Sequence, residues 1–164
     1  MSDKSTDIFQ KRRLTPTQLR AVAELRFNDA QCLLESGKNA RANGAIYMGG
    51  FVIECLLKAV LLERHENLQR PVDPARLSKQ DRQIYDLLYS HRLDAMLDVL
   101  PDLRAKLQVI TDDDGRPVWP RFRAVCEQWT VYARYSPKLA KAQEARRFLD
   151  TIQEVKQWLR ELQY

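Results

Sequence analysis

The chain has 164 residues, of which 45% are hydrophobic and 30% charged, and its formal net charge is +5. A domain-sized length with that much apolar material supports a packed core and excludes a disordered chain. Glycines and prolines are few, and Ala, Leu, Arg, Glu, Gln and Lys dominate, so the expected fold class is all-α.

Residues 1–14 hold Lys11, Arg12 and Arg13 and little that packs, and are expected to form a flexible N-terminal arm ahead of a single domain over 15–164. Met1 to Gln10 is polar, with no apolar stretch of the kind a secretory signal needs. Thr15 followed by Pro16 fits an N-cap and first helical position. A first helix then runs to about Ser36 on the stripe Leu19, Val22, Ala23, Leu25, Phe27, Ala30, Leu33 and Leu34, with Gly37 as its stop. Asn39 to Asn43 read as a short turn, or as the ragged start of a second helix reaching about His65. A connection this short implies an antiparallel pair.

The second helix is the most informative segment. Residues 45–62 are apolar on most of the surface, and only Glu54 and Lys58 carry charge. A helix of that kind belongs in the middle of a bundle, and a carboxylate buried there needs a partner. Glu54 therefore marks either a structural polar clasp or the floor of a working site. Lys58, one turn later, is on the same face. Gly49 and Gly50 stand inside the helix, where each costs about 1 kcal/mol relative to alanine, which points to close approach of another backbone. The longest apolar run, Phe51 to Leu62, is cut by Glu54 and Lys58, so no stretch is expected to span a bilayer.

Residues 66–76, with Pro71 and Pro74, read as a loop. Ser78 to about Tyr89 is a third helix, with Ser78 and Asp81 spaced as a capping box. Ser90-His91 opens a short helix through Leu100, and Pro101 starts a short turn through Ile110. Thr111 to Pro117 is an Asp-rich turn. Trp119 to about Tyr132 is a further helix, Ser136-Pro137 breaks it, and Leu139 to Leu162 carries a long apolar stripe from Ala142 to Leu162. The elements amount to an antiparallel up-and-down bundle of four to five helices with short accessory helices.

Cys32, Cys55 and Cys126 are far apart and lie in apolar helical surroundings, so they are expected to be buried free thiols. With His65 and His91 they make no familiar metal spacing, and no cofactor motif is present. These features lead to the expectation of a cytoplasmic protein. Charge is uneven: residues 115–147 carry eight Arg and Lys against Glu127 and Glu144. That is the footprint of a polyanion partner, unless it is a solvated helix face partly neutralised by Asp112 to Asp114. Tyr132, Tyr135 and Trp119 stand among these arginines, a pattern able to stack bases beside phosphate-binding cations.

The order of elements carries a resemblance. A helix ending Leu-Leu-Glu-Ser-Gly is followed by Ala-Ile-Tyr-Met-Gly-Gly-Phe-Val-Ile-Glu-Cys-Leu-Leu-Lys-Ala, then Ser-His-Arg-Leu-Asp-Ala-Met-Leu, then Trp129, Arg134-Tyr135 and Ala145-Arg146-Arg147-Phe148. Over about residues 17–160 this resembles HEPN-domain proteins. The resemblance implies an up-and-down helical bundle that forms homodimers. It further implies either RNA cleavage or a non-catalytic role beside a nucleotidyltransferase-like partner, nucleotide, RNA or DNA in toxin–antitoxin or antiviral systems. Catalytic members place an Arg four to six residues before a His. Here Arg134 takes the Arg position, but the residues at that spacing are Leu139, Ala140 and Lys141. Arginine stays protonated and does not move protons, so the usual ribonuclease site is absent from the sequence.

Glu54 and Arg134 are expected to meet in one buried polar network, with Tyr135 or His91 as further members. Such a network either fixes helix register or faces a ligand. The expected function is a non-catalytic module whose binding residues are Arg121, Arg123, Arg134, Tyr135, Lys138 and Lys58. The alternatives are RNA cleavage by Arg134, Glu54 and His91 at a non-standard site, and an assembly subunit whose basic face meets an acidic protein. No metal or cofactor is expected.

Overall fold

The computed structural model describes residues 13–161, apart from the side chains of Arg134 and Glu161. Seven α-helices are described: α1 (Pro16–Glu35), α2 (Ala42–Arg64), α3 (Lys79–Leu88), α4 (Leu93–Asp98), α5 (Pro101–Gln108), α6 (Trp119–Gln128) and α7 (Ala142–Glu161). Short 3-10 turns join several of them, and Thr111 and Pro117 form one isolated antiparallel bridge. The all-α reading holds. Three long helices carry the architecture, and four helices of six to ten residues pad it.

Local chemistry sets the ends of α1. Thr15 accepts from the Gln18 amide at 3.2 Å and the Gln18 side chain accepts from the Thr15 amide at 2.9 Å, with Pro16 at the first position. This reciprocal cap satisfies donors that the first turn leaves open. Gly37, at φ +67, ends the run in the left-handed region. The return into α2 is antiparallel. Arg20 near the start of α1 holds Glu63 near the end of α2 with bonds of 2.8 and 3.0 Å, while Leu33 abuts Gly44 at the opposite end. α7 is also antiparallel to α1: Lys156 and Arg160 both reach Glu24, whereas Arg146 and Leu149 lie beside Phe27 and Leu34.

α2 is the axis of the molecule. Every residue from Val52 to Leu57 is buried, and the packed stripe of α7 (Ala145, Leu149, Ile152, Val155 and Leu159) closes one side of the core. The stretch Asn39–Arg64 is long and apolar enough to cross a membrane, which corrects the expectation that Glu54 and Lys58 rule this out; 67% of its most apolar window is buried inside the bundle. Gly50 explains one close approach. A Cβ there would sit 1.9 Å from the Trp129 indole, and one at Gly49 would sit 2.8 Å from Phe148 and Leu149. The missing side chains are occupied by aromatic and aliphatic groups of later elements, and the expectation of another backbone there is corrected.

Several boundaries move for tertiary reasons. α6 stops at Gln128 instead of Tyr132, because Trp129 turns extended (ψ 132) to lay its ring on Gly50; Val131–Tyr135 then form a 3-10 turn. α7 begins at Ala142 instead of Leu139, because Asn39 and Asn43 bind the peptide groups of that stretch. His91 precedes α4 rather than opening it, and residues 101–108 are a helix rather than a turn, with Leu103 and Leu107 buried. Arg13 and Leu14 do not belong to a free arm: Arg13 lies 6.0 Å over the Tyr85 ring and donates to the Arg70 carbonyl, and Leu14 packs on the core. Residues 1–12 and Leu162 are outside the described residues. All three cysteines are free, but Cys32 is exposed, because it falls on the outer side of α1.

Candidate functional site

Two regions gather the chemistry singled out in the sequence. The first is a polar clasp on α2. Glu54 is 5% exposed, surrounded by apolar side chains. One carboxylate oxygen accepts from Lys58 Nζ at 2.7 Å, and the other lies 2.8 Å from His91 Nδ1. An ionised carboxylate only accepts, so in this contact the Nδ1–H of His91 donates. The Glu54 and Lys58 side chains are 6% and 12% exposed, whereas that of His91 is 51% exposed. The clasp therefore has a closed end and an open end. Phe51 meets the His91 ring edge-on at 5.9 Å and Trp129 at 5.3 Å, and Tyr47 stacks on Trp129 at 6.4 Å, forming an aromatic wall beside the imidazole.

The inner side of the clasp lines a groove of about 550 Å³, with Leu14, Leu19, Cys55, Leu62 and Leu88 as its apolar surface. Burial, reinforced by the neighbouring Glu54 charge, pushes the Cys55 thiol up to about 11, and burial raises that of Cys126 as well. Neither thiol is a nucleophile at neutral pH. Among the described residues no group of three or more His, Cys, Asp or Glu side chains could hold a metal ion.

The expected Glu54–Arg134 pair falls partly outside the described residues, because the Arg134 side chain is not among them. Its backbone lies in the 3-10 turn packed against α2. The two described partners of Glu54 are Lys58 and His91, so His91 is a member of the network, and Lys58, paired to Glu54, also lines the groove. Tyr135 is 64% exposed.

The second region is the basic segment, which the structure divides. Arg116 bonds Asp112 at 2.9 Å and Asp114 at 2.8 Å. Arg121 reaches Asp112 and Glu154, both at 3.0 Å, and Arg123 reaches Glu127 at 2.6 Å. Asp112 is the hub. The Arg116 amide and guanidinium and the Asp114 amide all donate to it, the amide of Arg116 being the leading cause that holds its carboxyl below the usual carboxylate range. Arg121 and Arg123, expected as binding residues, are therefore engaged with carboxylates of the same chain.

The remaining cations collect at one corner. The Asn43 side chain donates to the Lys138 carbonyl at 2.9 Å and accepts from the Ala140 amide at 2.8 Å, and Asn39 accepts from the Ala142 amide at 3.0 Å. These bonds span 95 to 103 residues of sequence and clamp the segment before α7 onto the start of α2. Lys38, Arg41, Lys138 and Lys141 are thereby brought to one end of the molecule, all exposed and none paired with a described carboxylate; Arg146 and Arg147 follow in the first turns of α7. Glu35 and Glu144 are the nearby acids, and Glu144 caps the Lys141 amide at 2.6 Å. Beside the corner lies a groove of about 410 Å³ whose lining includes Asn43, Trp129, Lys138, Leu139 and Phe148.

Sequence reasoning missed Lys38, Arg41, Asn39 and Asn43 as parts of this corner. Two asparagines four apart at a helix start signal a cap, but nothing local names a target a hundred residues away. It also missed Lys156, buried at 6%, which reaches Glu24 at 2.7 Å and lies 4.2 Å over the Phe27 ring. Comparison with protein-family models, curated proteins and solved structures finds no match to this chain.

Proposed function

We propose that this chain is a non-catalytic, HEPN-like helical module that binds nucleic acid through its cationic corner. The observation that carries the reading is the clamp: Asn39 and Asn43 fix Lys138 and Lys141 beside Lys38 and Arg41, without a described carboxylate partner for any of the four. Ordering four cations on one rigid surface lowers what a polyanion must organise on binding, and each phosphate neutralised releases counterions. The topological part of the proposal is that α3 to α6 together stand where a fourth and fifth helix would complete an up-and-down HEPN bundle. Its cellular part is a cytoplasmic homodimer, or a complex with a nucleotidyltransferase-like protein, in a toxin–antitoxin or antiviral setting, away from any membrane.

The test is binding of a labelled oligonucleotide followed by fluorescence anisotropy across salt. With about four phosphates contacted, the logarithm of the association constant falls against the logarithm of salt with a slope of about −3. The double variant Lys138→Glu, Lys141→Glu loses about two units of that slope together with most of the affinity. Binding indifferent to salt, or unchanged in the double variant, removes the corner from the reading.

One observation favours a second reading, RNA cleavage. His91 is half exposed and held by a buried carboxylate 2.8 Å from Nδ1, an orientation that prepares Nε2 as a general base. Arg134 would supply the charge on the phosphate in this reading. Incubation of single-stranded RNA with the wild type and with His91→Ala decides it: equal background in both discards the enzyme, and loss of cleavage only in the variant establishes it.

A further inference from the structure

We infer that the nucleic acid taken by the cationic corner is a single strand whose successive bases stack on Tyr132 and Tyr135; this rests on the binding reading proposed for that corner. The two rings belong to the 3-10 turn Val131–Tyr135 and are 73% and 64% exposed, which is unusual for aromatic side chains in a chain with an apolar core to fill. In a 3-10 helix, side chains three apart eclipse each other, and the rise places them about 6 Å apart along the axis. Tyr132 and Tyr135 have that spacing and are both exposed, so the turn sets the two residues on one outward side, at a rise that an unstacked strand spans between neighbouring bases.

The phosphate-binding groups stand directly after them. Ser136 bonds both the amide and the carbonyl of Lys138, at 3.3 and 3.4 Å, which tightens the link between the second ring and the first lysine. Lys138 is then fixed to α2 by Asn43 at 2.9 Å. Rings followed by anchored cations match a strand that offers a base face on one side and a phosphate on the other. A duplex offers phosphates but keeps its base faces stacked inside, so it engages the lysines and leaves the tyrosines unused. Stacking on a ring face reads no base edge, so the selection is for strandedness and not for sequence.

Anisotropy titrations with labelled oligothymidine and oligouridine of about twelve nucleotides, and with a mixed-sequence duplex of equal length, test the inference. Single strands bind at least about ten times tighter than the duplex at the same salt. Tyr132→Ala and Tyr135→Ala each weaken single-strand binding by about 5- to 100-fold, the range of one stacked base, while the salt slope stays as in the wild type. Tyr135→Phe retains the affinity, because stacking needs the ring and not the hydroxyl. Both positions are exposed, and thermal melts confirm that the variants fold as the wild type does.

A duplex bound as tightly as the single strands, or alanine variants indistinguishable from wild type, overturns the stacking inference and leaves the corner's affinity for phosphate standing. Self-association lost in the tyrosine variants with oligonucleotide binding intact assigns the rings to a protein contact and overturns it equally. Absence of binding to every oligonucleotide at about 50 mM salt overturns both this inference and the reading beneath it.

Discussion

The clasp around Glu54 and the corner around Lys138 place charge in opposite ways. In the clasp, a carboxylate and an ammonium are drawn out of water onto the central helix, each the other's partner, with His91 closing the outer edge. In the corner, four cations stay in water, and what is fixed is the backbone beneath them. Buried charge contributes to order only while its partner is present, because a lone charge in an apolar interior is costly. Exposed charge contributes almost nothing to folding and stays available to a ligand. The clasp is thus expected to dominate stability, and the corner to dominate recognition.

The largest effect that can break this contrast is at Glu54. Glu54→Ala leaves Lys58 half-buried without its counter-charge and lowers stability by about 2–4 kcal/mol, read from chemical denaturation. The double substitution Glu54→Met, Lys58→Met removes both charges and recovers most of that loss. A double variant as unstable as the single one would show that the clasp does more than neutralise itself.

Asn43→Ala sharpens the contrast from the other side. It deletes one hydrogen bond donated and one accepted, leaving the Ala140 amide in a half-buried position, and costs about 1–2 kcal/mol. Oligonucleotide affinity falls with it, because Lys138 and Lys141 lose their fixed place. Retained affinity would mean that the clamp orders the chain without serving the corner.

The smallest effect is the pH response of the Asp112 hub. Its carboxyl is held below the ordinary carboxylate value, so its contribution is fully present above about pH 4, the unfolded value, and fades as pH falls through the lowered folded value. Acid titration followed by NMR of the Arg116 and Arg121 side chains registers the release, and Asp112→Asn abolishes the pH dependence in that window. A shift centred above pH 5 contradicts the assignment.

Much of the fold was legible because its causes are local. Thr15-Pro16 and Gly37 bound α1 through caps that involve residues three apart, and Ser78 accepts from the Asp81 amide at 3.0 Å as their spacing implies. The mostly apolar surface of residues 45–62 placed α2 at the centre, and Glu54 and Lys58 stand one turn apart on any helix. The site was less legible. His91 was one of several candidate partners for Glu54, and only the path of the chain from α3 to α4 brings it within 2.8 Å.

What the amino-acid order determined by itself is the long helices, the central one, and a buried carboxylate that required an answer, because periodicity, capping and the cost of a desolvated charge all act within a turn or two of chain. Only the tertiary structure decided which cations are spent and which are available. Arg116, Arg121 and Arg123 met carboxylates, while Lys138 and Lys141 were carried by two asparagines to a corner where no described carboxylate pairs with their ammonium groups. Charge is counted along a sequence, but it is neutralised across space, and contacts spanning some hundred residues are fixed by packing rather than by neighbours.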